Sequence, residues 1–256
     1  MNFKNVSSAA SEIAAPLDLA ENEVHLWRLD LSAAAASEER WQQILSADER
    51  ARAARFRFSR DRQFFAATRA VLRTILGSYV ASDPKSLAFN YAEKGKPSLV
   101  ENDLAQGHAR SRQRLEFNVS HSGTTALLAF ARGRALGVDV EQIRDDRDAE
   151  AVAQRFFSQR EQIELASFPA SDTLRGFFRC WTRKEAFIKA RGEGLSIPLS
   201  DFDVSIKAGD ENALLATRPD PAEVARWSLR EVPGGDGYEA ALCVEGRGWN
   251  LKCLVC

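Results

Sequence analysis

The chain has 256 residues, enough for one or two domains with a full hydrophobic core and no disulfide bonds. Its 45% hydrophobic and 28% charged residues exclude a disordered or fibrous protein. The 35 basic and 36 acidic residues nearly cancel, so net charge gives no reason to expect nucleic-acid or anionic-membrane binding. The sequence lacks a signal-peptide core and an apolar run approaching the roughly 20 residues of a membrane span, so we expect a cytoplasmic protein.

The first part of the chain predicts a strand followed by a helical region. Residues 1–22 are predicted to form a loose tail, and 24–29 alternate as a strand does. Ser46 and Glu49 form a capping-box pattern, which indicates one long helix or two consecutive helices ending near Gly77. Eight arginines and a single acid lie between positions 50 and 73, a bias that fits either a solvated helix face or an anion site.

Strands and turns dominate the middle of the chain. A short strand from residue 87 leads into the turn EKGKP, and a polar loop is predicted from 101 to 114. Three strand-like runs, at 115–120, 125–131 and 135–141, predict an antiparallel meander.

Helical signals return after the meander. Ser158 and Glu161 form a second capping-box pattern, and Asp172 is the predicted N-cap of a helix that ends near Gly192. Residues 202–255 again predict mainly strands.

The order of strand, helices and strands is similar in the two parts of the chain. This order predicts an α+β fold of two halves that meet near residue 135. The predicted divisions are the tail at 1–22, an N-terminal half at 23–134 and a C-terminal half at 135–256.

Three acids and a lysine have spacings that suit a divalent metal beside a phosphate. Asp139 and Glu141 lie two apart on a predicted strand and therefore share a face, and Glu185 and Lys189 lie four apart on a predicted helix. Oxygen ligands without His or Cys favour Mg²⁺ over zinc.

Plainer interpretations remain open at this point. Asp139 and Glu141 would also suit the solvated end of an edge strand, and Glu185 with Lys189 would suit a surface ion pair worth less than about 1 kcal/mol. His121, in the string NVSHSG, would suit a hydrogen-bonded structural histidine.

Four strings in fixed order carry a family resemblance. They are FNVSHSG, GVDVE, RFFS and WTRKEAFIKARGEGLSIPL, within a similarity that runs from about residue 45 to 204. The chain resembles the 4′-phosphopantetheinyl transferase superfamily, of the surfactin-synthetase-activating (Sfp) type. The pair GVDVE and WTRKEAFIK is the most specific part of this resemblance.

The resemblance implies a monomer of two pseudo-symmetric halves, each a small, mainly antiparallel sheet packed with helices, with coenzyme A in the cleft between them. It implies transfer of the 4′-phosphopantetheine group of coenzyme A to a serine of an apo acyl or peptidyl carrier protein and release of 3′,5′-ADP. Such carriers serve fatty-acid, polyketide and nonribosomal-peptide synthesis.

The second half is implied to hold the catalytic groups. Asp139, Glu141 and Glu185 would bind Mg²⁺ together with the coenzyme A diphosphate, and Lys189 would face the attacked phosphate. Glu185 is the preferred base for the carrier serine, with Glu141 and a metal-bound hydroxide as alternatives.

The first half is implied to bind the nucleotide. Arg52, Ser120 and His121 would bind the 3′-phosphate, while Lys94, Lys96 and Pro97 would border the adenine and phosphates. The carrier would dock after Glu141, where basic side chains are also explained by a solvated face; they are Arg144, Arg147 and Arg155.

Two other functions use parts of the same pattern. A metal-dependent phosphohydrolase would use the three acids but leaves EKGKP and SHSG unexplained. A nucleic-acid-binding module would use only the arginine-rich helix, and the near-zero net charge counts against it.

Overall fold

The computed structural model describes residues 4–5, 16–34, 38–92, 95–100, 113–144 and 148–255. Within these residues the chain forms four β-sheets and eight α-helices, an α+β fold with mostly antiparallel strand pairing. None of the described helices is both long and apolar enough to cross a membrane.

The elements of the first part confirm the first capping box. They are β1 (Lys4–Asn5), β2 (Glu23–Asp30), α1 (Leu31–Ala34), α2 (Glu38–Ile44), α3 (Ala47–Ala53), α4 (Ser59–Val80), β3 (Phe89–Tyr91), β4 (Pro97–Leu99), β5 (Leu115–Ser122) and β6 (Thr125–Arg132). Ser46 and Glu49 form the reciprocal capping bonds at α3. The helical region is two helices, and α4 ends at Val80 with Ala81 in the left-handed conformation at φ 55°.

The elements of the second part show one error in the predicted helix start. They are β7 (Leu136–Gln142), α5 (Ala149–Phe156), α6 (Gln159–Ala166), α7 (Ala170–Arg191), β8 (Phe202–Val204), β9 (Leu214–Thr217), α8 (Glu223–Arg226), β10 (Trp227–Glu231), β11 (Tyr238–Glu245) and β12 (Asn250–Val255). The second capping box, Ser158 with Glu161, is confirmed. Asp172 is not the N-cap of α7, because Pro169 occupies that position and Asp172 lies in the first turn, where a carboxylate favours the helix dipole.

Strand pairing corrects the predicted meander. β5 and β6 form a hairpin in a five-stranded sheet of order β1-β12-β2-β6-β5. β7 does not join them; it pairs with β11 in a three-stranded sheet of order β10-β11-β7. The ladder hydrogen bonds of β7 therefore go to β11, which comes about 100 residues later in the chain, and a local sequence pattern cannot reveal this pairing.

Strands near the two ends of the chain pair across the predicted boundaries between the tail and the two halves. β12, from the predicted C-terminal half, pairs in parallel with β2 of the first sheet, and β1 pairs in parallel with β12. The last part of the predicted loose tail is ordered against the fold, because Leu19 is 1% exposed in the first core and the Leu17 N–H donates to Ser78 O.

Each of the two larger sheets has a core on its outer face, and a third core lies between them. α4 and α7, each of 22 residues, contribute to the two outer cores. Apolar residues of β2 and β6 pack against those of β7 and β11 in the central core. A hydrophobic layer therefore holds the two larger sheets together. We call the boundary between these two sheets the seam.

Gly137 sets the distance between β7 and α7. A Cβ at this position would lie 2.2 Å from Ala186 O and 2.3 Å from Ala190 N, which are backbone atoms of the helix. Because neither atom can move without shifting α7, we expect Gly137→Ala to lower the free energy of unfolding by about 3 kcal/mol, measured by denaturant unfolding.

Gly176→Ala is the matched control. The nearest atoms to its added Cβ belong to the side chains of Phe168 and Leu165, at 2.9 to 3.0 Å. Side chains can adjust, and alanine in a helix interior gains about 1 kcal/mol over glycine, so the loss should be much smaller. Equal losses for the two variants would contradict the tight β7–α7 contact.

Candidate active site between the two sheets

The edge strands β5 and β7 pack against each other, and their polar side chains meet at the seam. Asp139 and Glu141 lie two residues apart on β7, so their side chains share one face. The Ser120 hydroxyl donates to Asp139 Oδ1 at 2.7 Å, and the Ser122 hydroxyl donates to Glu141 Oε2 at 2.6 Å. Two serines from the first part of the chain therefore hold two carboxylates from the second.

Lys189 of α7 completes this cluster. Its Nζ lies 2.6 Å from Asp139 Oδ1 and 3.1 Å from Ser120 Oγ. Asp139 is 3% exposed, and within the described residues no hydrogen bond reaches its second oxygen, Oδ2. A buried carboxylate oxygen without a partner is costly, so the cluster has the electrostatic character of a site that accepts a cation.

Glu185 lies one helical turn before Lys189 and on the same half-buried face of α7. Burial raises the pKa of Glu185, the charges of Asp139 and Glu141 raise it further, and Lys189 opposes them. Burial also raises the pKa of Glu141, where the Ser122 hydrogen bond opposes the shift and Asp139 adds to it. The three predicted acids are therefore near enough to repel one another.

The three predicted acids are not arranged as a complete metal-binding site. Across the described ranges, no group of three or more His, Cys, Asp or Glu side chains is arranged to hold a metal ion. Two of the acids instead bind groups of the protein, since Lys189 and Ser120 share Asp139 Oδ1 and Ser122 binds Glu141.

His121 lies at the exposed rim of the seam, between the two serines on β5. Desolvation and the positive charge of Lys189 lower the pKa of His121, and Asp61 at the start of α4 acts in the opposite direction. An anion bound beside His121 would favour its protonated form. The N-terminal end of α4, Lys189 and His121 are thus part of one electrostatic environment.

The arginine-rich region is only partly available for ligands. Glu49, which is 2% exposed, binds Arg69 at 2.5 Å and Arg73 at 2.6 Å. The Arg50 guanidinium donates to the Leu45 carbonyl. Two of the eight arginines therefore join α4 to α3, and a third joins α3 to the end of α2.

Arg52 lines a pocket beside α3 and β3. The cavity has a volume of about 590 Å³, and its walls are formed by Asp48, Glu49, Arg52, Arg55, Phe56 and Tyr91. The guanidinium of Arg52 also lies over the Phe65 ring, 5.4 Å from its centre. Ser120 and His121 are not among the wall residues, so the structure does not bring the three predicted 3′-phosphate contacts into this one pocket.

Residues 95–97 of the EKGKP string lie at the seam, and Lys94 is outside the described residues. Lys96 Nζ donates to Leu136 O at 2.9 Å and to Lys189 O at 2.8 Å. Pro97 is half-buried at the start of β4. Two of the three donors of Lys96 are therefore directed at backbone carbonyls of the second part of the chain.

Sequence reasoning missed two residues of this region. One is Ser122. The strings SHS and DVE have the same alternation, which places Ser120 and Ser122 opposite Asp139 and Glu141. Lys184 precedes Glu185 and is fully buried, where it pairs with Glu161 at 2.8 Å and donates to the carbonyls of Leu199 and Phe202. Lys184 anchors α7 to the strand β8, and no sequence signal separates this role from that of Lys189.

Family models match both parts of the chain. Residues 34–132 match "4′-phosphopantetheinyl transferase, N-terminal", and residues 135–243 match "4′-phosphopantetheinyl transferase superfamily". HetI of Nostoc sp., a 4′-phosphopantetheinyl transferase, is 39% identical over 92% of this chain and 93% of its own length. The chain belongs to the 4′-phosphopantetheinyl transferase superfamily. It is therefore an enzyme of this class.

Two Bacillus transferases place it with the Sfp type. The transferase psf-1 of Bacillus pumilus is 31% identical over 91% of this chain and 94% of its own, and Sfp of Bacillus subtilis is 28% identical over 80% and 84%. The resemblance seen in the sequence motifs is confirmed. The cluster of Ser120, Asp139 and Lys189 draws on both matched segments, since Ser120 belongs to one and Asp139 to the other.

Ser122→Ala tests the contact between β5 and β7. A hydroxyl that donates to a carboxylate favours its charged form, so removal of this donor should raise the pKa of Glu141 further above its usual value. Carboxyl titration of a ¹³C-glutamate-labelled sample by NMR measures the shift. Ser122→Thr keeps the hydroxyl and should leave the titration nearly unchanged; an unchanged Glu141 pKa in the alanine variant would contradict the contact.

Proposed function

We propose that this transferase moves the 4′-phosphopantetheine group of coenzyme A onto a serine hydroxyl of an apo carrier protein, in a reaction that requires Mg²⁺ and releases 3′,5′-ADP. The observation that carries the proposal is the Lys189 ammonium 2.6 Å from the buried carboxylate of Asp139, at the seam between the two sheets. A lysine beside clustered acids suits a diphosphate that arrives with a divalent cation.

The donor set fits Mg²⁺. Asp139, Glu141 and Glu185 offer only carboxylate oxygens, the ligands that Mg²⁺ prefers. Asp139 Oδ2 is buried without a partner among the described residues, and the charge of Asp139 contributes to the raised pKa of both Glu141 and Glu185, where burial is the largest cause. We propose that these three residues would hold the ion with the coenzyme A diphosphate, and the bound ion would neutralise charge on the phosphate oxygens.

Lys189 and Glu185 have complementary parts in the proposed chemistry. The carrier serine oxygen forms a bond to the β-phosphorus, and the bond to the bridging diphosphate oxygen breaks with its electron pair, so that 3′,5′-ADP leaves. Lys189 stabilises the negative charge on the phosphoryl oxygens. Glu185, four residues from Lys189 on the same face of α7, takes the serine proton, and Glu141 is the alternative base.

The first part of the chain would bind the nucleotide end of coenzyme A. Arg52 and Arg55 line a pocket with the aromatic rings of Phe56 and Tyr91, which suits a phosphate and a base. The Ser120 hydroxyl already serves Asp139 and Lys189. Of the SHS residues, His121 is therefore the stronger candidate for the 3′-phosphate.

We further propose a monomer that meets its carrier in the cytoplasm, near the segment after Glu141. Arg144 and Arg155 are exposed there, and Arg147 lies outside the described residues. An acidic carrier surface would be attracted to these side chains.

A metal-dependent phosphohydrolase would use the same acids. Membership in the transferase family and the arginine-lined pocket favour transfer. A nucleic-acid-binding role finds less support, because Arg69 and Arg73 pair with Glu49 and Arg50 donates to the Leu45 carbonyl.

Intact mass after incubation with coenzyme A, Mg²⁺ and an apo carrier protein tests the proposal. We expect the carrier to gain one phosphopantetheine group, and Asp139→Asn to slow the gain by roughly a hundredfold or more because the site loses its buried charge. Glu211→Gln, an exposed acid outside the seam, is the control. No gain across a panel of carriers, or near-normal turnover of Asp139→Asn, would contradict the assignment.

His121→Ala tests the nucleotide end. We expect the KM for coenzyme A to rise about tenfold, the effect of losing a charged hydrogen bond worth about 1.5 kcal/mol. The KM for 3′-dephospho-coenzyme A should change little, because that substrate lacks the phosphate. Equal increases for both substrates would exclude His121 from the 3′-phosphate site.

A further inference from the structure

The ammonium group of Lys96 lies where three segments of the chain come together. They are residues 95–97 of the EKGKP string, the first residue of β7 and the last turn of α7, and they come from distant parts of the chain. Lys96 Nζ lies 2.9 Å from Leu136 O and 2.8 Å from Lys189 O, 40 and 93 positions away in the sequence. One side chain thus joins the first part of the chain to both elements that carry the site.

The carbonyl of Lys189 needs a partner from outside α7. It is one of the last four carbonyls of the helix, which have no regular intrahelical donor. The Gly192 N–H serves the neighbouring Ile188 carbonyl instead. A cation at this end also complements the negative end of the helix dipole. Lys96 therefore caps α7 from across the seam.

The lysine stem lies close to the helix end. A Cβ on Gly192, the left-handed C-cap at φ 74°, would lie 3.9 Å from Lys96 Cδ. Lys96 is half-buried, and burial lowers the pKa of its ammonium while Glu116 opposes the shift. The two carbonyls supply hydrogen bonds that offset this loss of solvent.

Lys96 caps the last turn of α7, and this turn also carries Lys189. The Lys189 side chain extends to Asp139 and Ser120, while its carbonyl accepts from Lys96. Gly137, the residue after Leu136, lies directly against the backbone of Lys189 and Ala190 in the same turn. A shift of this turn would therefore move Lys189 Nζ relative to the acids.

We propose that Lys96 is a positioning residue of the transferase, which caps α7 from the first part of the chain and thereby holds Lys189 over Asp139 and Ser120. This role differs from the one the family resemblance implies, in which Lys96 borders the adenine and phosphates of coenzyme A. Its kinetic consequence rests on the proposed function, whereas the cap itself does not.

Lys96→Met removes the ammonium and keeps most of the stem. We expect kcat for transfer to fall roughly tenfold to a hundredfold, as a small displacement of a catalytic group does. The KM values for coenzyme A and for 3′-dephospho-coenzyme A should each change less than about twofold, since a positioning residue adds no phosphate contact. Lys96→Arg should recover much of kcat because it restores cationic donors, and Lys85→Met, an exposed lysine of the same part of the chain, should behave as the unaltered protein.

Amide hydrogen exchange provides the readout that does not depend on activity. In Lys96→Met the amides at the end of α7, Gly192 above all, should exchange several-fold faster, and in Lys85→Met they should not. A raised KM for coenzyme A with unchanged kcat and unchanged exchange would overturn the proposal and make Lys96 a ligand. Faster exchange in Lys96→Met, in a protein that transfers nothing to any carrier, would support the cap and contradict the proposed function.

Discussion

The site depends on keeping one carboxylate buried beside one lysine. Asp139 is almost inaccessible to solvent, and its charge is matched by Lys189 Nζ at 2.6 Å and by the Ser120 hydroxyl. Removing Lys189 would leave a nearly buried carboxylate without its cation, which is costly. The three residues lie on β7, α7 and β5, so the arrangement exists only when two sheets and a helix are correctly placed.

Backbone contacts hold those elements at the required distances. The absence of a side chain at Gly137 allows β7 to touch α7, and the central hydrophobic core fixes β7 against the first sheet. Lys184, paired with Glu161 where neither side chain is exposed, anchors the same helix on its other side. Packing of this density resists small displacements, which suits a site whose groups act by position.

The arginines of the arginine-rich region have two different roles: some stabilise the fold, and others line a pocket. Glu49 engages Arg69 and Arg73, which ties α3 to α4. Arg52 and Arg55 remain on a pocket wall. The tertiary structure makes this distinction because a carboxylate from another helix reaches two of the arginines and not the others.

The sequence by itself determined the two capping boxes, the main strands and the family, because capping boxes, alternation and the GVDVE and WTRKEAFIK strings are local patterns. It also placed Asp139 with Glu141 and Glu185 with Lys189 on common faces, since strand and helix periods fix them. Only the tertiary structure decided that β7 pairs with β11, that β12 joins the first sheet, and that Leu19 belongs to a core. Lys96 reaches α7, and Ser122 reaches Glu141, across separations of 93 and 19 residues. Those contacts depend on how separate elements pack, and no periodicity within one element encodes them.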